Sequence, residues 1–364
     1  MSTSKADTTF DNELTKRREM VYAYLESQDY RQRLTPPDIR DAVYSYIRMG
    51  GKTLRPAVLL LSCGAVGGDE KRALPAAAAV EVYHTWTLVH DDIIDRDTKR
   101  RGAPTVHEEW ARKALRLGYD PVDANHYGLS IAILAGDIQH SWAISLLSEL
   151  YTGMHVAAPL VVRLIQRLQT YVIRNLVDGE TLDIQFSQSP IDTLSEEAIL
   201  RMLWGKTGVL YEYAAQAGAM IGLETEDTNH PFIEALTQFA TKCGIAFQLQ
   251  DDILGIIGDE SVLGKPVGSD LREGKRTTIV HYAFQSANKD QKGTMLSVLG
   301  NRSATLKQIE EATAVLRSLG GIDHTRDLAR KLIEQGKSHL EVLPPSLHKG
   351  LLLSWANYMV EREF

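Results

Sequence analysis

Five long stretches without strand-like alternation dominate this chain and restrict it to a helical fold. They are rich in alanine and leucine, and they carry apolar residues on more than one helical face. Alternating β-branched runs between turn residues are nearly absent, so no sheet is expected. The sequence therefore predicts a single all-α domain, a helical bundle with buried central helices. The stretches are residues 74–95, 125–151, 160–184, 195–221 and 231–257.

Composition and charge narrow the class of protein. The 364 residues suffice to bury a sizeable core. A net charge of −7, from 40 Lys+Arg against 47 Asp+Glu, provides no basic field for nucleic acid, and no nucleic-acid-binding motif is recognisable. Cys63 and Cys243 lie far apart without metal-type spacing, which is typical of buried thiols in a reducing compartment.

The N-terminal residues resemble neither a signal peptide nor a membrane anchor. Residues 1–18 lack the apolar core of a signal peptide, and no run approaches the roughly 18 apolar residues of a membrane span. We therefore expect a cytoplasmic protein without a membrane span. Residues 1–12 carry few apolar groups and are expected to be loosely ordered, so the predicted domain covers residues 13–364.

Two aspartate pairs interrupt the apolar stretches. Asp91, Asp92 and Asp95 end the first stretch, and Asp251 and Asp252 lie near the end of the last one. Residues three and four apart share a helix face, so the first three carboxylates project to one side. Carboxylates in apolar surroundings need a cation, and Mg²⁺ prefers carboxylates together with substrate phosphates. Either pair alone also fits a solvated acidic face, but both together favour a site for Mg²⁺ and diphosphate.

Basic residues near glycines accompany both aspartate pairs. Lysine offers a point charge and arginine a bidentate fork, and phosphates bind both. Each segment alone is also typical of a solvated surface, whereas a lysine in an apolar helix would be costly without a partner. Together they predict two anion sites. The cations are Lys52 and Arg55 after Gly50-Gly51, Arg100 and Arg101 after the first pair, Lys206 in an apolar helix, and Lys265 and Lys275 after the second pair.

Over about residues 40–280, these motifs resemble in order and spacing those of the trans-isoprenyl diphosphate (polyprenyl) synthases of the short-chain type. The resemblance implies an all-α isoprenoid-synthase fold, a helical bundle around a deep central cavity. It also implies a homodimer and Mg²⁺ as cofactor, with three ions when substrate is bound. The implied substrates are isopentenyl diphosphate and an allylic diphosphate.

The resemblance assigns roles to the residues that match the family's motifs. The implied metal ligands are Asp91, Asp92, Asp95, Asp251 and Asp252. Isopentenyl diphosphate is assigned to Gly51, Lys52, Arg55, His84 and Arg101. The allylic diphosphate is assigned to Arg100, Lys206, Thr207, Gln248, Lys265 and Lys275. The catalytic set combines the five aspartates with Arg100, Lys206 and Lys265. His84 without this motif would be read as a core histidine.

The second aspartate motif departs from the family's pattern at one position. The family's usual third aspartate is Gly255 in this chain. In most members that carboxylate helps to hold a metal ion, so its loss is expected to weaken one ion without abolishing the site. Asp259 lies a further turn along the predicted helix, and we hypothesise that it compensates.

Product length is expected to depend on the residues one to two helical turns before the first motif. Tyr83 and Trp86 occupy these positions, with Thr87 leaving some room beside them. Aromatic residues there also fit a plain core. If they line the cavity they stop chain growth early, which predicts geranylgeranyl diphosphate, with farnesyl diphosphate or a somewhat longer product as the alternative.

Two other functions fit part of the pattern. A class I terpene cyclase would share the fold and the first motif, but it binds one diphosphate and leaves Lys52, Arg55 and Arg101 unexplained. A non-catalytic subunit of a heteromeric synthase would typically have lost aspartates, and here position 255 alone has lost one.

Overall fold

The computed structural model describes residues 5–257 and 268–361, and these are mostly helical. The helices in chain order are α1 (Lys5–Ser27), α2 (Tyr30–Arg33), α3 (Pro37–Met49), α4 (Leu54–Ala65), α5 (Leu74–Asp95), α6 (Val106–Arg116), α7 (Pro121–Thr152), α8 (Ala158–Gln166), α9 (Ile173–Gln188), α10 (Glu196–Leu203), α11 (Val209–Leu223), α12 (Pro231–Ile257), α13 (Ser269–Glu273), α14 (Thr278–Ser286), α15 (Lys289–Val298), α16 (Leu306–Ser318), α17 (Gly321–His339) and α18 (Leu347–Glu361).

Shorter elements connect these helices. Strands β1 (Lys99–Arg100) and β2 (Ala103–Pro104) form an antiparallel two-stranded ribbon directly after α5. Among the described residues, two π-helical turns interrupt the long helices and three short 3₁₀ turns occur elsewhere. The π turns are Arg167–Val172 and Trp204–Gly208, and the 3₁₀ turns are Glu70–Ala73, Ile191–Thr193 and Leu340–Val342. The all-α prediction is confirmed for the described residues, and none of their helices is long and apolar enough to cross a membrane.

The chain divides into two compact units. Unit 1 contains residues up to 165 together with 214–230 and 346–351, and unit 2 contains 166–213, 231–345 and 352 onward. The prediction of a single domain over residues 13–364 stays a prediction.

In unit 1, α5 is the central helix. It packs against α1, α4 and α7, and its four consecutive alanines at 76–79 are fully buried. Because alanine is small on every side, neighbouring helices approach α5 from several directions. The helix ends at Asp95, where Arg96 adopts a left-handed conformation with φ 60°. This reversal directs the chain into the ribbon that carries Arg100.

In unit 2, α12 holds the corresponding central position. It packs against α17 and the π turn Trp204–Gly208. Its last turns contribute Ile253 and Ile256 to an apolar cluster that includes Leu271 and Ile279. The second aspartate pair is therefore anchored by apolar neighbours immediately after it in sequence.

The N-terminal helix α1 begins at Lys5, and Phe10 on it is buried. The expectation that residues 1–12 are loosely ordered stays a prediction. Phe10, Val21 and Leu25 are buried at a helical spacing, and α1 packs against α4 and α5. A few apolar residues on one face suffice to dock a polar helix. Residues 1–4 lie outside the described residues.

A close contact between α4 and the C-terminal part of α11 requires a glycine. A Cβ atom on Gly218 would lie 2.0 Å from the carbonyl oxygen of Leu59, which is backbone and cannot move aside alone. We expect Gly218→Ala to lower the free energy of unfolding by about 1–3 kcal/mol. In α15, Gly293→Ala serves as the control, since no atom lies within 4 Å of its Cβ position, and it should stabilise by about 0.5–1 kcal/mol. Denaturant unfolding of both variants tests this, and equal changes would contradict it.

Candidate active site

The side chains of the first aspartate motif differ in their exposure to solvent. Asp91 and Asp95 are partly exposed, and a carboxylate oxygen of one lies within 4.8 Å of a carboxylate oxygen of the other. Their i, i+4 spacing on α5 explains this proximity. Two hard oxygen donors this close suit a divalent cation such as Mg²⁺.

Asp92 points inward from the same turn and is fully buried. Arg100 Nε lies 2.9 Å from both of its carboxylate oxygens, and the Tyr46 hydroxyl donates a hydrogen bond to it. Tyr46 in turn accepts a hydrogen bond of 3.2 Å from the backbone N–H of Val106. Asp92 thus fixes Arg100, and its assignment as a metal ligand stays a prediction. Tyr46 was not anticipated from the sequence.

Asp92 also determines the charge of Arg100. Burial opposes the charged guanidinium, but the hydrogen bonds and the negative charge of Asp92 outweigh it and raise the pKa of Arg100 above its ordinary value. Arg100 therefore remains a fixed cation within a largely buried site, which is the property that a bound diphosphate requires.

The residues assigned to isopentenyl diphosphate lie together in unit 1. Arg55 Nη1 is 3.1 Å from His84 Nε2. A Cβ atom on Gly51 would lie 3.0 Å from Arg101 Nη2, so the glycine allows the loop to pass against that guanidinium. Lys52 is exposed beside this loop. The structure thus places the guanidinium of Arg55 beside the His84 imidazole and that of Arg101 beside the Gly51 loop.

His84 is neutral in this arrangement. Burial lowers its pKa well below the ordinary value, and the charges of Arg55, Arg101 and Arg100 lower it further. Arg55 can donate only to an unprotonated Nε2, so the contact also requires the neutral form. On the next face of α5, Thr87 donates a hydrogen bond of 2.8 Å to the His84 carbonyl.

Glu81 is a buried carboxyl beside this cation group, and the sequence analysis missed it. Burial raises its pKa, while Tyr22 donates a hydrogen bond of 3.1 Å to Oε1 and Arg101 and Arg55 oppose the rise. Its position three residues before His84 on α5 was the available signal, since i, i+3 residues share a face.

In unit 2, the π turn Trp204–Gly208 presents Lys206 to two carboxylates. Lys206 Nζ lies 2.6 Å from Asp183 Oδ2 and 2.9 Å from Glu180 Oε2. A Cβ atom on Gly179 would lie 2.2 Å from the Lys206 backbone nitrogen, so α9 and the π turn touch through the glycine. Glu180 and Asp183 were missed, although their i, i+3 spacing after Gly179 could have indicated a partner for this lysine.

Hydrogen bonds connect the second aspartate motif to Thr207, the residue that follows Lys206. The Thr207 hydroxyl donates to Gln248 Oε1 at 3.0 Å, and Gln248 Nε2 donates to Asp252 Oδ1 at 3.1 Å. The other oxygen of Asp252, Oδ2, has no hydrogen-bond partner in the part of the chain that the structure describes. Asp252 is 5% exposed, so this orphaned oxygen fits a site that takes up a cation.

The charges around Asp252 reinforce that conclusion. Burial raises the pKa of Asp252 well above its ordinary value, the charge of Asp270 raises it further, and Gln248 and Lys275 oppose the rise. Lys275 Nζ lies 3.1 Å from Glu273 Oε2 and 3.8 Å from Asp270 Oδ1. Lys265 and Asp259, both named in the sequence analysis, lie outside the described residues.

The residues predicted to set product length form an aromatic cluster between α5 and α7. The ring of Trp86 lies 4.8 Å from that of Tyr83, 4.9 Å from that of His140 and 5.8 Å from that of His90. Tyr83 is fully buried behind Trp86, which remains partly exposed. Thr87 is partly exposed on the adjacent face.

The family model described as Polyprenyl synthetase matches residues 36–316. The chain belongs to the polyprenyl synthetase family. It is 39% identical over 329 residues to the geranylgeranyl diphosphate synthase of Methanosarcina mazei, covering 90% of this chain and 91% of that protein. It is 34% identical over 339 residues to the geranylfarnesyl diphosphate synthase of Aeropyrum pernix, covering 90% and 96%.

A solved structure shows the same fold. The crystal structure of geranylgeranyl pyrophosphate synthetase from Pyrococcus horikoshii Ot3 matches with a TM-score of 0.82 and 33% identity, over 98% of this chain and 100% of that one. Membership of the family makes this protein a trans-prenyltransferase with the all-α isoprenoid-synthase fold. The family depends on Mg²⁺ and uses isoprenyl diphosphate substrates. The predicted fold class and enzyme class are confirmed.

The neutral state of His84 predicts a pH-dependent stability. The unfolded chain protonates His84 below about pH 6.5, whereas the folded protein, with its lowered pKa, does not. Unfolded protein then binds more protons, so the free energy of unfolding falls as pH decreases below about 6.5, by up to about 1.4 kcal/mol per pH unit. His84→Gln removes this contribution while retaining an acceptor for Arg55.

Denaturant unfolding at pH 7.5, 6.5 and 5.5 tests this. The difference between wild type and His84→Gln should shrink towards low pH. The exposed His126→Gln serves as the control and should follow the wild type. A pH-independent difference between wild type and His84→Gln would show that His84 is not held neutral.

Proposed function

We propose that this protein condenses isopentenyl diphosphate with an allylic diphosphate to form an all-trans short-chain prenyl diphosphate, geranylgeranyl diphosphate. The observation that carries the proposal is the group of Arg55, His84 and Arg101, a second set of basic residues besides Arg100 and Lys206. A terpene cyclase binds one diphosphate and would leave this group without a ligand. The synthase uses it for its second substrate.

The residues present fit Mg²⁺ at both aspartate motifs. Asp91 and Asp95 place two carboxylate oxygens close together, and Asp252 holds an orphaned buried oxygen. We propose that these three residues, with Asp251, hold Mg²⁺ against the allylic diphosphate, with three ions when substrate is bound. When bound, the ions stabilise the diphosphate as it leaves.

The chain's own residues supply the remaining electrostatics. Arg100 and Lys206 are fixed by buried carboxylates and offer constant positive charge to the allylic diphosphate as its C–O bond breaks. Lys52, Arg55 and Arg101 hold the diphosphate of isopentenyl diphosphate, whose double bond attacks the allylic carbon. One proton leaves to form the new double bond, and the released diphosphate is the base that we propose for it. Apolar walls exclude water, which would otherwise capture the cation.

The sequence and the family support three further properties of the protein: its location, its oligomeric state and its domain organisation. We propose a cytoplasmic homodimer and a single domain over residues 13–364. The name of the Aeropyrum pernix relative supports a somewhat longer product as the alternative.

Asp91→Ala should reduce turnover on the order of 10²- to 10³-fold, the loss expected when one electrostatic group of a catalytic site is removed. Because Asp91 is partly exposed, the thermal midpoint should stay near that of the wild type. Product formation from isopentenyl diphosphate and each short allylic diphosphate with Mg²⁺, followed by mass analysis, measures this. The exposed Asp290→Ala is the matched control. Near-normal turnover of Asp91→Ala would disprove its metal role, and a cyclic hydrocarbon product would favour the cyclase.

Trp86→Ala should lengthen the product by one or more five-carbon units. Trp86 lies five residues before Asp91, about 7.5 Å along the helix axis, and its truncation removes the outer ring of the aromatic cluster. Trp86→Phe retains a ring and should leave the product distribution near that of the wild type. Mass analysis of prenyl products distinguishes the variants. An unchanged distribution in folded Trp86→Ala would show that Trp86 belongs to the core alone.

A further inference from the structure

The carboxylate of Glu212 contacts two π turns of unit 2. Glu212 lies on α11 and is 6% exposed. Its Oε2 accepts a hydrogen bond of 3.0 Å from Trp204 Nε1, and its Oε1 accepts one of 3.2 Å from Arg167 Nη2. Trp204 is the first residue of the π turn Trp204–Gly208, and Arg167 is the first residue of the π turn Arg167–Val172. One buried carboxylate is therefore hydrogen-bonded to the start of both turns.

The hydrogen bond between Trp204 and Glu212 depends on the π register. Residues eight apart in a regular α-helix, at about 100° per residue, point about 80° away from each other. A π turn closes i→i+5 hydrogen bonds and so takes up one extra residue. Residues eight apart across it then align like residues seven apart in an α-helix, which differ by only about 20°. The Trp204 ring and the Glu212 carboxylate thus meet on one face because the turn between them is π-helical, and their hydrogen bond favours that register.

Three further contacts surround this carboxylate. Arg167 Cζ lies 4.3 Å from the centroid of the Tyr171 ring, and that ring lies 6.4 Å from the Trp204 ring. Burial raises the pKa of Tyr171 to about 12, and the negative charge of Glu212 adds to the rise. The Thr241 hydroxyl of α12 lies 3.2 Å from Glu212 Oε2. We call Glu212 with these four neighbours the Glu212 cluster.

The two helical segments that the Glu212 cluster connects carry Lys206 and its carboxylate partners. Lys206 lies within the second π turn, and Glu180 and Asp183 lie on α9, which begins directly after the first. Backbone atoms of the two segments touch, since a Cβ atom on Gly205 would lie 2.9 Å from the carbonyl oxygen of Asn175. This contact sets how closely the segments approach, whereas the π registers set which residues face each other. A shift of one residue in either register would rotate the following residues by about 100°.

We propose that Glu212 is a positioning residue for the allylic diphosphate, because it holds both π turns in register and thereby keeps Lys206 in place. The proposal requires no contact between Glu212 and the substrate, since Glu212 acts through Lys206. This inference rests on the proposed function, in which Lys206 binds the allylic diphosphate. It also gives a role to Trp204 and Arg167, the donors at the start of the two turns.

A purely structural role for Glu212 makes a different prediction. As an ordinary buried partner of Arg167, Glu212 would contribute to stability alone, and its replacement would leave the kinetics of the folded enzyme unchanged. As a positioning residue, it affects the kinetics of the allylic substrate and not those of isopentenyl diphosphate, which is assigned to other residues.

Steady-state kinetics of the full chain with Mg²⁺, with each substrate varied while the other saturates, test this. Trp204→Phe retains an aromatic ring and removes the N–H that donates to Glu212, and Glu212→Gln retains the shape and removes the charge. We expect kcat/KM for the allylic diphosphate to fall about 10- to 100-fold in both variants, since a displacement of about 1 Å in a catalytic site costs up to about 100-fold. KM for isopentenyl diphosphate should stay near that of the wild type.

Trp355→Phe is the matched control. It makes the same chemical change in unit 2 at a fully buried tryptophan, whose Nε1 has no hydrogen-bond partner among the described residues. It should lower the thermal midpoint and leave the allylic kcat/KM near that of the wild type. A double-mutant cycle with Lys206→Gln identifies the residue through which Glu212 acts. Once Lys206 is replaced, Trp204→Phe should cause little further loss.

Amide hydrogen exchange of residues 204–208 is a readout that does not depend on activity. Protection should fall in Trp204→Phe and Glu212→Gln but not in Trp355→Phe, and unchanged protection in the first two would refute the proposal. Wild-type allylic kinetics in folded Trp204→Phe, or losses that add to those of Lys206→Gln, would overturn the role of Glu212 and leave the synthase intact. A wild type that forms no prenyl product from the two diphosphates would overturn the proposed function and this inference with it.

Discussion

The candidate site depends on keeping charged groups ionised within helices that are apolar around most of their surface. An unpaired charge in such surroundings costs several kcal/mol, and the chain avoids that cost at Arg100 and Lys206 by pairing them with carboxylates. Arg100 is held by the buried Asp92, and Lys206 lies between Asp183 and Glu180. These pairs fix the cations before any substrate binds. A diphosphate then meets charges that need little reorganisation, which is the main source of electrostatic catalysis.

The two aspartate motifs differ in what neutralises their buried carboxylate. In the first motif, one aspartate turns inward and is neutralised by Arg100 and Tyr46, so Asp91 and Asp95 are left at the surface of α5. In the second motif, Asp252 is the inward residue and receives a single amide from Gln248, while its other oxygen has no described partner. The first motif therefore contains its own cation, whereas the buried Asp252 of the second has an amide as its described hydrogen-bond partner.

Local rules predict much of this structure from the sequence. The 3.6-residue period gives α5 and α12 and places Asp91 and Asp95 on one face, and the cost of a buried lysine implies partners for Lys206. The same rules do not say which of Asp91, Asp92 and Asp95 faces the core, because α5 is apolar on several sides and tertiary packing decides. Glu180, Asp183 and Tyr46 belong to segments distant in sequence from their partners. The π turn Trp204–Gly208 could not be predicted either. It shifts the backbone hydrogen-bond register of the helix, but the sequence pattern of apolar residues continues through it.

Position 255 shows that the carboxylates of a linear sequence motif and the negative charges of the folded site need not be the same residues. A linear motif assigns three carboxylates to one helix, and the absence of the third counts as a loss. In the folded chain the N–H of Gly268 donates to the carbonyl of Gly255, and the Asp270 carboxylate lies where a Cβ atom of residue 255 would be. The negative charge of Asp270 therefore acts on Asp252, where it raises the pKa, although no motif position supplies it. A larger residue at 255 would require the end of the Asp270 side chain to move, because a Cβ atom there would lie 2.5 Å from Asp270 Oδ2.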